Sequence, residues 1–197
     1  MAQPLDRLFV HSAQTQILFV DIQENLIAGS LTNPPSALAA NAHVLASIGR
    51  ALGLPMTFTI APANSSASEP IDALRQVAFE CGIFRRNVVG CFADSGLARH
   101  LSQHARKTLI IAGYSVEIGV LQAVLGAINA GYAVHVPIDV VGGRCTRAEQ
   151  AALRQIEAAG GIVSSVRILS GFMSADFSST TGAAVLAFLS GLQPARH

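Results

Sequence analysis

The chain has 197 residues and a formal net charge of +1, and it contains no run of basic residues, so its composition gives no support to a nucleic-acid partner. Hydrophobic residues make up 51% of the chain and charged residues only 13%, which indicates apolar surface buried between copies of the chain. No apolar run reaches about 18 residues, and the amino terminus lacks the pattern of a secretion signal, so neither a membrane span nor secretion is predicted.

The length fits one domain, covering residues 1–197, with a sizeable hydrophobic core. Its three cysteines, Cys81, Cys91 and Cys145, are odd in number and show no paired spacing, which favours reduced thiols in a cytoplasm-like compartment. We therefore expect a cytoplasmic homo-oligomer, a dimer or larger, of single-domain subunits.

The first strong pattern along the chain is a buried strand at residues 17–20, which ends at Asp21. An acid at the end of an apolar strand is costly unless it is paired or lies in a cleft, so Asp21 is a candidate functional residue. The alternative, equally weighted on the residues alone, is that Asp21 caps the following turn.

Strands and helices alternate through the rest of the chain. The predicted strands are residues 17–20, 56–60, 84–89, 108–112, 132–138 and 162–166, and the predicted helices are 37–52, 71–78, 94–106, 117–130, 146–160 and 180–192. This order predicts an α/β fold, a three-layer αβα sandwich around a six-stranded parallel sheet. A loop rich in Pro, Asn and Ser at residues 61–70 is expected beside the site.

The stretch from 108 to 143 is the centre of this organisation. Its first strand shows no alternation, as is typical of a strand buried on both faces, and its helix is apolar all round. Ligands bind outside the carboxyl ends of parallel strands, so the turn at residues 113–119 is the first place to look for chemistry.

The same stretch carries a family motif. The sequence GYSVEIGV at 113–120, then GYAV at 131–134 and DV at 139–140, resembles the pattern G-x-x-T-E-x-C-V, G-Y-x-V and D-A of the isochorismatase-like hydrolases. The DIQ at 21–23 and the GCF at 90–92 resemble two further elements of that family. The resemblance implies its Rossmann-like fold and the hydrolysis of a small polar metabolite with no cofactor.

The match to the family motif does not extend to the catalytic positions. Gly119 occupies the position of the family's nucleophilic cysteine, Val116 that of its threonine and Arg86 that of its lysine. A glycine offers no side chain for a covalent intermediate. Arginine keeps the positive charge and can clamp a carboxylate, but it cannot shuttle protons. The only lysine of the chain, Lys107, begins the central strand at the end away from the site.

By this resemblance the catalytic positions are Asp21, Arg86 and Gly119, and the substrate contacts are Gln23, Phe92, Ser115 and Val116. It also implies a cis peptide bond at 115–116. Facing positions predict an ion pair between Asp21 and Arg86, with a small void beside Gly119 where the family's sulfur would lie.

Three functions stay open. Some true isochorismatases resemble this chain in having glycine at the cysteine position, which implies a hydrolase without a covalent step. The second is a degenerate member with a binding or structural role, and the third a cysteine hydrolase using Cys91 or Cys145. His100 and His104 lie four apart on a predicted helix, but no third ligand accompanies them, so no metal is expected.

Overall fold

The computed structural model of the chain describes residues 4–62 and 69–194, so most of the predicted loop at 61–70 lies outside the described residues. Its sheet is parallel throughout, with the strand order β3-β2-β1-β4-β5-β7 and with β6 paired to β4. The strands are β1 Thr15–Val20, β2 Met56–Ile60, β3 Ile83–Arg85, β4 Thr108–Tyr114, β5 Ala133–Pro137, β6 Val141–Gly142 and β7 Ile162–Ser164.

Helices cover both faces of the sheet, which confirms the three-layer αβα prediction. They are α1 Glu24–Ile27, α2 Pro35–Ala51, α3 Asp72–Cys81, α4 Ser95–Gln103, α5 Leu121–Asn129, α6 Thr146–Ala158, α7 Val166–Met173 and α8 Thr180–Leu189. On one face α2 packs with α3, α7 and α8, and on the other α5 packs with α6. A π-helical turn, Val116–Val120, leads directly into α5.

Strand β1 shows why the central strands lack alternation. Ile17 and Phe19 are buried in the core on one face of the sheet, whereas Leu18 and Val20 are buried in the core on the other. Every residue of β1 is buried, so both faces of the strand require apolar side chains.

The structure differs from prediction at β3 and at the end of β7. The third strand was predicted over residues 84–89 but ends at Arg85, and the Arg86 N–H makes a last hydrogen bond to the Ile60 carbonyl of β2 at 3.1 Å. The chain turns after Arg86, where the Arg86 Nη1 donates to the carbonyls of Val88 and Val89. Strand β7 ends at Ser164, and Ser165 begins the unpredicted helix α7 by accepting a hydrogen bond from the Ile168 N–H at 3.2 Å.

The strand order creates the crevice. From β1 the chain moves outward through β2 and β3, then returns to β4 on the other side of β1 and moves outward through β5 and β7. The carboxyl ends of β1 and β4 therefore form the topological switch point at which ligands bind in such sheets. Gly113 allows these strands to approach, since it has a φ of 151° and a Cβ there would stand 2.1 Å from the carbonyl oxygen of Val20.

Candidate active site

A pocket of about 300 Å³ opens at this switch point. Its walls come from the segments that follow β1, β2, β3 and β4, as expected for a cleft at the carboxyl ends of the strands. The lining residues are Asp21, Leu26, Ala61, Pro62, Arg86, Asn87, Val88, Val89, Tyr114, Ser115, Ile118, Gly119 and Arg144.

Asp21 lies directly after β1 in a left-handed backbone conformation, with a φ of 53°. Its N–H donates to the carbonyl of Thr59 at 3.1 Å, and the Thr59 hydroxyl donates to Asp21 Oδ1 at 2.9 Å. A non-glycine residue in this conformation is costly and persists where its surroundings enforce it, as they often do at functional sites.

Arg86 forms a two-point ion pair with Asp21, as predicted. Its Nε donates to Oδ1 at 3.3 Å and its Nη2 donates to Oδ2. The side chains of Arg86 and Asp21 are only 6% and 3% exposed, so the pair is dry. Strand alternation sends the preceding Arg85 outward, where it pairs with Glu69 at 2.9 Å.

The other guanidinium donors of Arg86 are also occupied. Nη1 donates to the carbonyls of Val88 and Val89, so Nε, Nη1 and Nη2 together make four hydrogen bonds within the protein. Since a guanidinium has five N–H groups, at most one is left for a ligand. Arg86 cannot clamp a substrate carboxylate with two parallel bonds.

Burial raises the pKa of Asp21 above the ordinary carboxyl value, although the charge of Arg86 and the hydrogen bonds from Arg86 and Thr59 act in the opposite direction. Desolvation disfavours the charged form of an acid, whereas a guanidinium beside it favours that form. The result is a carboxylate with fixed orientation and a stronger affinity for a proton than a surface aspartate has.

Gly119 lies close against this pair. A Cβ at Gly119 would stand 3.2 Å from Asp21 Oδ2, 3.2 Å from Val20 Cγ1 and 3.4 Å from Arg86 Nη2. Gly119 also lines the pocket together with Asp21 and Arg86, and a void of the size of a sulfur atom beside it stays a prediction.

Of the four predicted substrate contacts, Ser115 lines the pocket and the other three side chains pack elsewhere. Gln23 is fully buried and pairs with the backbone of Ala61, accepting from its N–H at 2.8 Å and donating to its carbonyl at 3.2 Å. Val116 is buried in the core, and Phe92 packs against Gly126 and Tyr132. The geometry gives these three residues no direct contact with a ligand in this pocket.

The backbone at the start of the π-helical turn differs from prediction by one residue. The cis peptide bond joins Tyr114 to Ser115 rather than Ser115 to Val116. The Ser115 carbonyl then accepts from the N–H groups of Ile118 and Val120 at 3.2 and 3.1 Å. The first N–H groups of a helical turn have no partner within the helix, and this turn begins directly after β4 and Ser115.

Cysteine chemistry finds no support at this pocket. Cys91 is fully buried, and burial raises the pKa of its thiol to about 12. Cys145 is exposed at the start of α6 and does not line the pocket. The rings of His100 and His104 lie 4.8 Å apart, and within residues 4–62 and 69–194 no three His, Cys, Asp or Glu side chains form a group that could hold a metal.

Sequence reasoning missed three polar residues of the pocket, Asn87, Tyr114 and Arg144. Asn87 was placed inside the predicted strand at residues 84–89. Tyr114 ends an apolar strand, so in sequence it resembles a core aromatic residue. Arg144 follows Gly142 and Gly143 at the end of β6, and that position after a strand was the available signal.

The chain matches the isochorismatase domain family over residues 15–168. No curated protein sequence matches it. Among the part of the chain that the structure describes, no helix has the length and apolarity needed to cross a membrane.

Solved structures share the fold. YcaC from Pseudomonas aeruginosa, in a structure with hexane-2,5-diol and covalent acrylamide, is similar with a TM-score of 0.88 and 22% identity over 94% of this chain and 92% of that one. The YcaC gene product of Escherichia coli, described as an octameric hydrolase of unknown specificity, has a TM-score of 0.88 and 19% identity over 94% and 91%. The MAR1 ribonuclease of Caenorhabditis elegans has a TM-score of 0.82 and 19% identity over 96% and 95%. Because the domain match spans most of its length, the chain belongs to the isochorismatase-like family.

Proposed function

We propose that the chain is a hydrolase of the isochorismatase-like family that acts on a small metabolite without a covalent cysteine intermediate. One observation carries the proposal: the Asp21 carboxylate is buried, oriented by Arg86 and Thr59, and faces Gly119 at a pocket whose lining includes no cysteine. An acid held in this way suits proton transfer, whereas a covalent route lacks its nucleophile.

In the proposed reaction Asp21 acts first as a base. It takes a proton from water as the water oxygen bonds to the electrophilic carbon of the substrate. The bond from that carbon to the leaving oxygen or nitrogen breaks, and the leaving group takes the proton back from Asp21. Burial raises the pKa of Asp21 from the ordinary value of 3.8 toward the operating pH. This makes Asp21 a better base for the first transfer, and a pKa nearer the operating pH is the range in which one group can take a proton and then give it back.

The backbone after β4 supplies the complementary charge. The π-helical turn and α5 run without a break over residues 116–129. The N–H groups at the start of this helix and the positive end of its dipole favour negative charge that develops on the substrate. Ser115, the predicted site residue that lines the pocket beside them, is placed to contact the same group.

The alternative is a degenerate family member with a binding or structural role. The engagement of Arg86 favours it, since four hydrogen bonds within the protein make this residue a structural clamp for Asp21 and for the segment after β3. In that case the pocket binds a ligand and no bond is broken.

An activity screen against esters, amides and vinyl ethers tests the proposal, with Asp21→Asn as the key variant. The wild type is expected to turn over at least one class, and Asp21→Asn is expected to lose at least roughly 100-fold in kcat/KM. Asp72→Asn, a change of the same type at an acid with 77% side-chain exposure, is the matched control. Alkylation of the thiols should leave turnover unchanged.

Two results would contradict the hydrolase. If no substrate is turned over while small molecules raise the Tm of the wild type, the degenerate alternative is correct. If turnover survives in Asp21→Asn but is lost on alkylation, the cysteine route is correct instead.

Assembly and location complete the proposal. We propose a homo-oligomer in the cytoplasm, supported by the low charged fraction of the chain and by free thiols at Cys81, Cys91 and Cys145. The absence of a cofactor, a metal and a nucleic-acid partner stays a prediction.

A further inference from the structure

The Tyr114 hydroxyl is the polar group of the pocket whose position the proposed chemistry leaves unexplained. Tyr114 is only 4% exposed and lines the pocket. Its oxygen is buried, and among the residues that the structure describes no acceptor lies within hydrogen-bond distance of the hydroxyl proton. Buried polar groups are nearly always satisfied, and an unsatisfied one costs free energy. A hydroxyl of this kind on a pocket wall indicates that a ligand supplies its partner.

The Arg144 guanidinium lies beside this hydroxyl. Arg144 Nη2 and Tyr114 Oη stand 3.0 and 3.3 Å from the point where a Cβ on Gly29 would lie. Gly29 therefore leaves the space that brings the two groups together. Burial raises the pKa of Tyr114, although the charge of Arg144 and a hydrogen bond from its side chain act in the opposite direction. The phenol oxygen accepts from Arg144, keeps its own proton and can donate it in a hydrogen bond.

Arg144 is also available to a ligand. Across residues 4–62 and 69–194, no carboxylate forms a salt bridge with its side chain. The nearby acid, Glu117, accepts from the backbone N–H of Arg144 at 3.0 Å and thereby fixes the loop. The guanidinium meets the Tyr114 hydroxyl and keeps further N–H groups for a ligand. Since Arg86 is committed to Asp21, Arg144 is the cation of this pocket that can meet an anion.

The other residues that line the pocket indicate what kind of ligand fits it. Apolar side chains surround the two donors, and three of them are well exposed: Ile118 at 56%, Val89 at 54% and Val88 at 45%. A cavity of about 300 Å³ lies at the lower end of the ~300–1,000 Å³ range of small-molecule sites. It therefore suits a small molecule with an apolar body and one anionic group.

We propose that Tyr114 and Arg144 form an anion subsite that binds the carboxylate of the substrate, whose apolar body lies against Val88, Val89 and Ile118. The guanidinium donates two parallel hydrogen bonds to the carboxylate, and the phenol donates a third. This inference takes the pocket of the proposed function as its starting point, but binding at the subsite does not depend on turnover.

Calorimetric titration of the full chain with benzoate, hydrocinnamate and hexanoate, each compared with its primary amide, tests the subsite. At least one carboxylate is expected to bind more tightly than its amide. Arg144→Gln should weaken that carboxylate by roughly 10- to 100-fold and leave the amide unchanged, because only the charge-assisted bonds are lost. Tyr114→Phe should weaken it by roughly 3- to 10-fold.

Matched variants separate the subsite from general charge. Arg147→Gln removes an exposed arginine that does not line the pocket and should leave the carboxylate affinity unchanged. Arg144→Lys should recover part of the affinity that Arg144→Gln loses. The subsite is wrong if every carboxylate binds no better than its amide, or if Arg147→Gln weakens binding as much as Arg144→Gln does.

The variant Asp21→Asn distinguishes this inference from the proposed function. If carboxylates bind through Arg144 and no ester, amide or vinyl ether is turned over, the subsite stands and the hydrolase fails. If turnover depends on Asp21 but is unaffected by Arg144→Gln and Tyr114→Phe at low substrate concentration, the hydrolase stands and the subsite fails.

Discussion

Position 86 holds an arginine, and its chemistry differs from that of a lysine. A lysine ammonium is a point charge on a flexible stem and can lose its proton when buried, whereas a guanidinium is planar and stays charged. Arg86 uses that shape to hold both oxygens of Asp21 and two backbone carbonyls at once. It therefore acts as a positioning residue for Asp21, and in the proposed reaction Asp21 is the group that transfers protons.

The contact between Gly119 and this ion pair yields a prediction about stability. We expect Gly119→Ala to lower the free energy of unfolding by roughly 1 kcal/mol, because the added methyl group meets three atoms at 3.2–3.4 Å and overpacking of this kind is destabilising. Asp21 and Arg86 are held by several hydrogen bonds and cannot move aside. Urea denaturation measures the change.

Gly171→Ala is the matched control, because Gly171 also lies in a helix but a Cβ there would have nothing within 4 Å. That variant should gain roughly 0.5–1 kcal/mol from helix propensity. Equal gains in both variants would mean that the ion pair moves easily, which would contradict the rigid site.

At the scale of elements, the hydrophobic periodicity of the sequence was enough to predict the parallel sheet and the helical layers on its two faces. The order of strands and helices predicted the parallel sandwich, and the end of β1 correctly marked Asp21 as a residue of the crevice. Burial on both faces leaves a clear signal, since a run such as ILFV at residues 17–20 fits no surface strand.

Hydrophobic periodicity could not predict the side-chain contacts between residues that are far apart in sequence. The turn after β3 contains hydrogen bonds from the side chain of Arg86, and Gln23 turns inward to hold Ala61. The pairing of Tyr114 with Arg144 joins residues 30 positions apart in sequence, and it needs the gap left by Gly29. Strand and helix periods carry no information on such contacts.

Strand β5 contains a titratable group that should make stability depend on pH. His135 is 1% exposed, and burial lowers the pKa of its imidazole from 6.5 to about 4. Below about pH 6.5 the unfolded chain takes up a proton that the folded chain does not. We therefore expect the free energy of unfolding to fall between about pH 6.5 and pH 4, by at most roughly 3 kcal/mol from this residue.

Denaturation of His135→Val at several pH values measures this contribution, because valine suits an interior strand position and does not titrate. The difference in stability between the wild type and this variant should change across that pH range. His11→Gln, at an exposed histidine, should leave the pH profile unchanged. A constant difference between the wild type and His135→Val would show that His135 does not titrate as proposed.

At the scale of the whole molecule, the surface carries a group of exposed apolar side chains that lie close together. Phe9, Ile168 and Phe172 are 51%, 54% and 40% exposed, and the rings of Phe9 and Phe172 meet edge to face at 5.6 Å. Contiguous apolar surface of this kind is typical of an interface. A second copy of the chain is the partner that a low charged fraction favours.

The variant Phe172→Glu tests whether this patch joins the subunits. A charge buried at an interface without a partner is strongly unfavourable, so light scattering at micromolar concentration should show an oligomer for the wild type and a smaller species for Phe172→Glu. Phe79→Glu places the same charge at an apolar residue that is 65% exposed on α3, and its mass should equal that of the wild type. Circular dichroism should show that both variants stay folded. A monomeric wild type would contradict the assembly itself, whereas an unchanged mass for folded Phe172→Glu would place the interface on another surface.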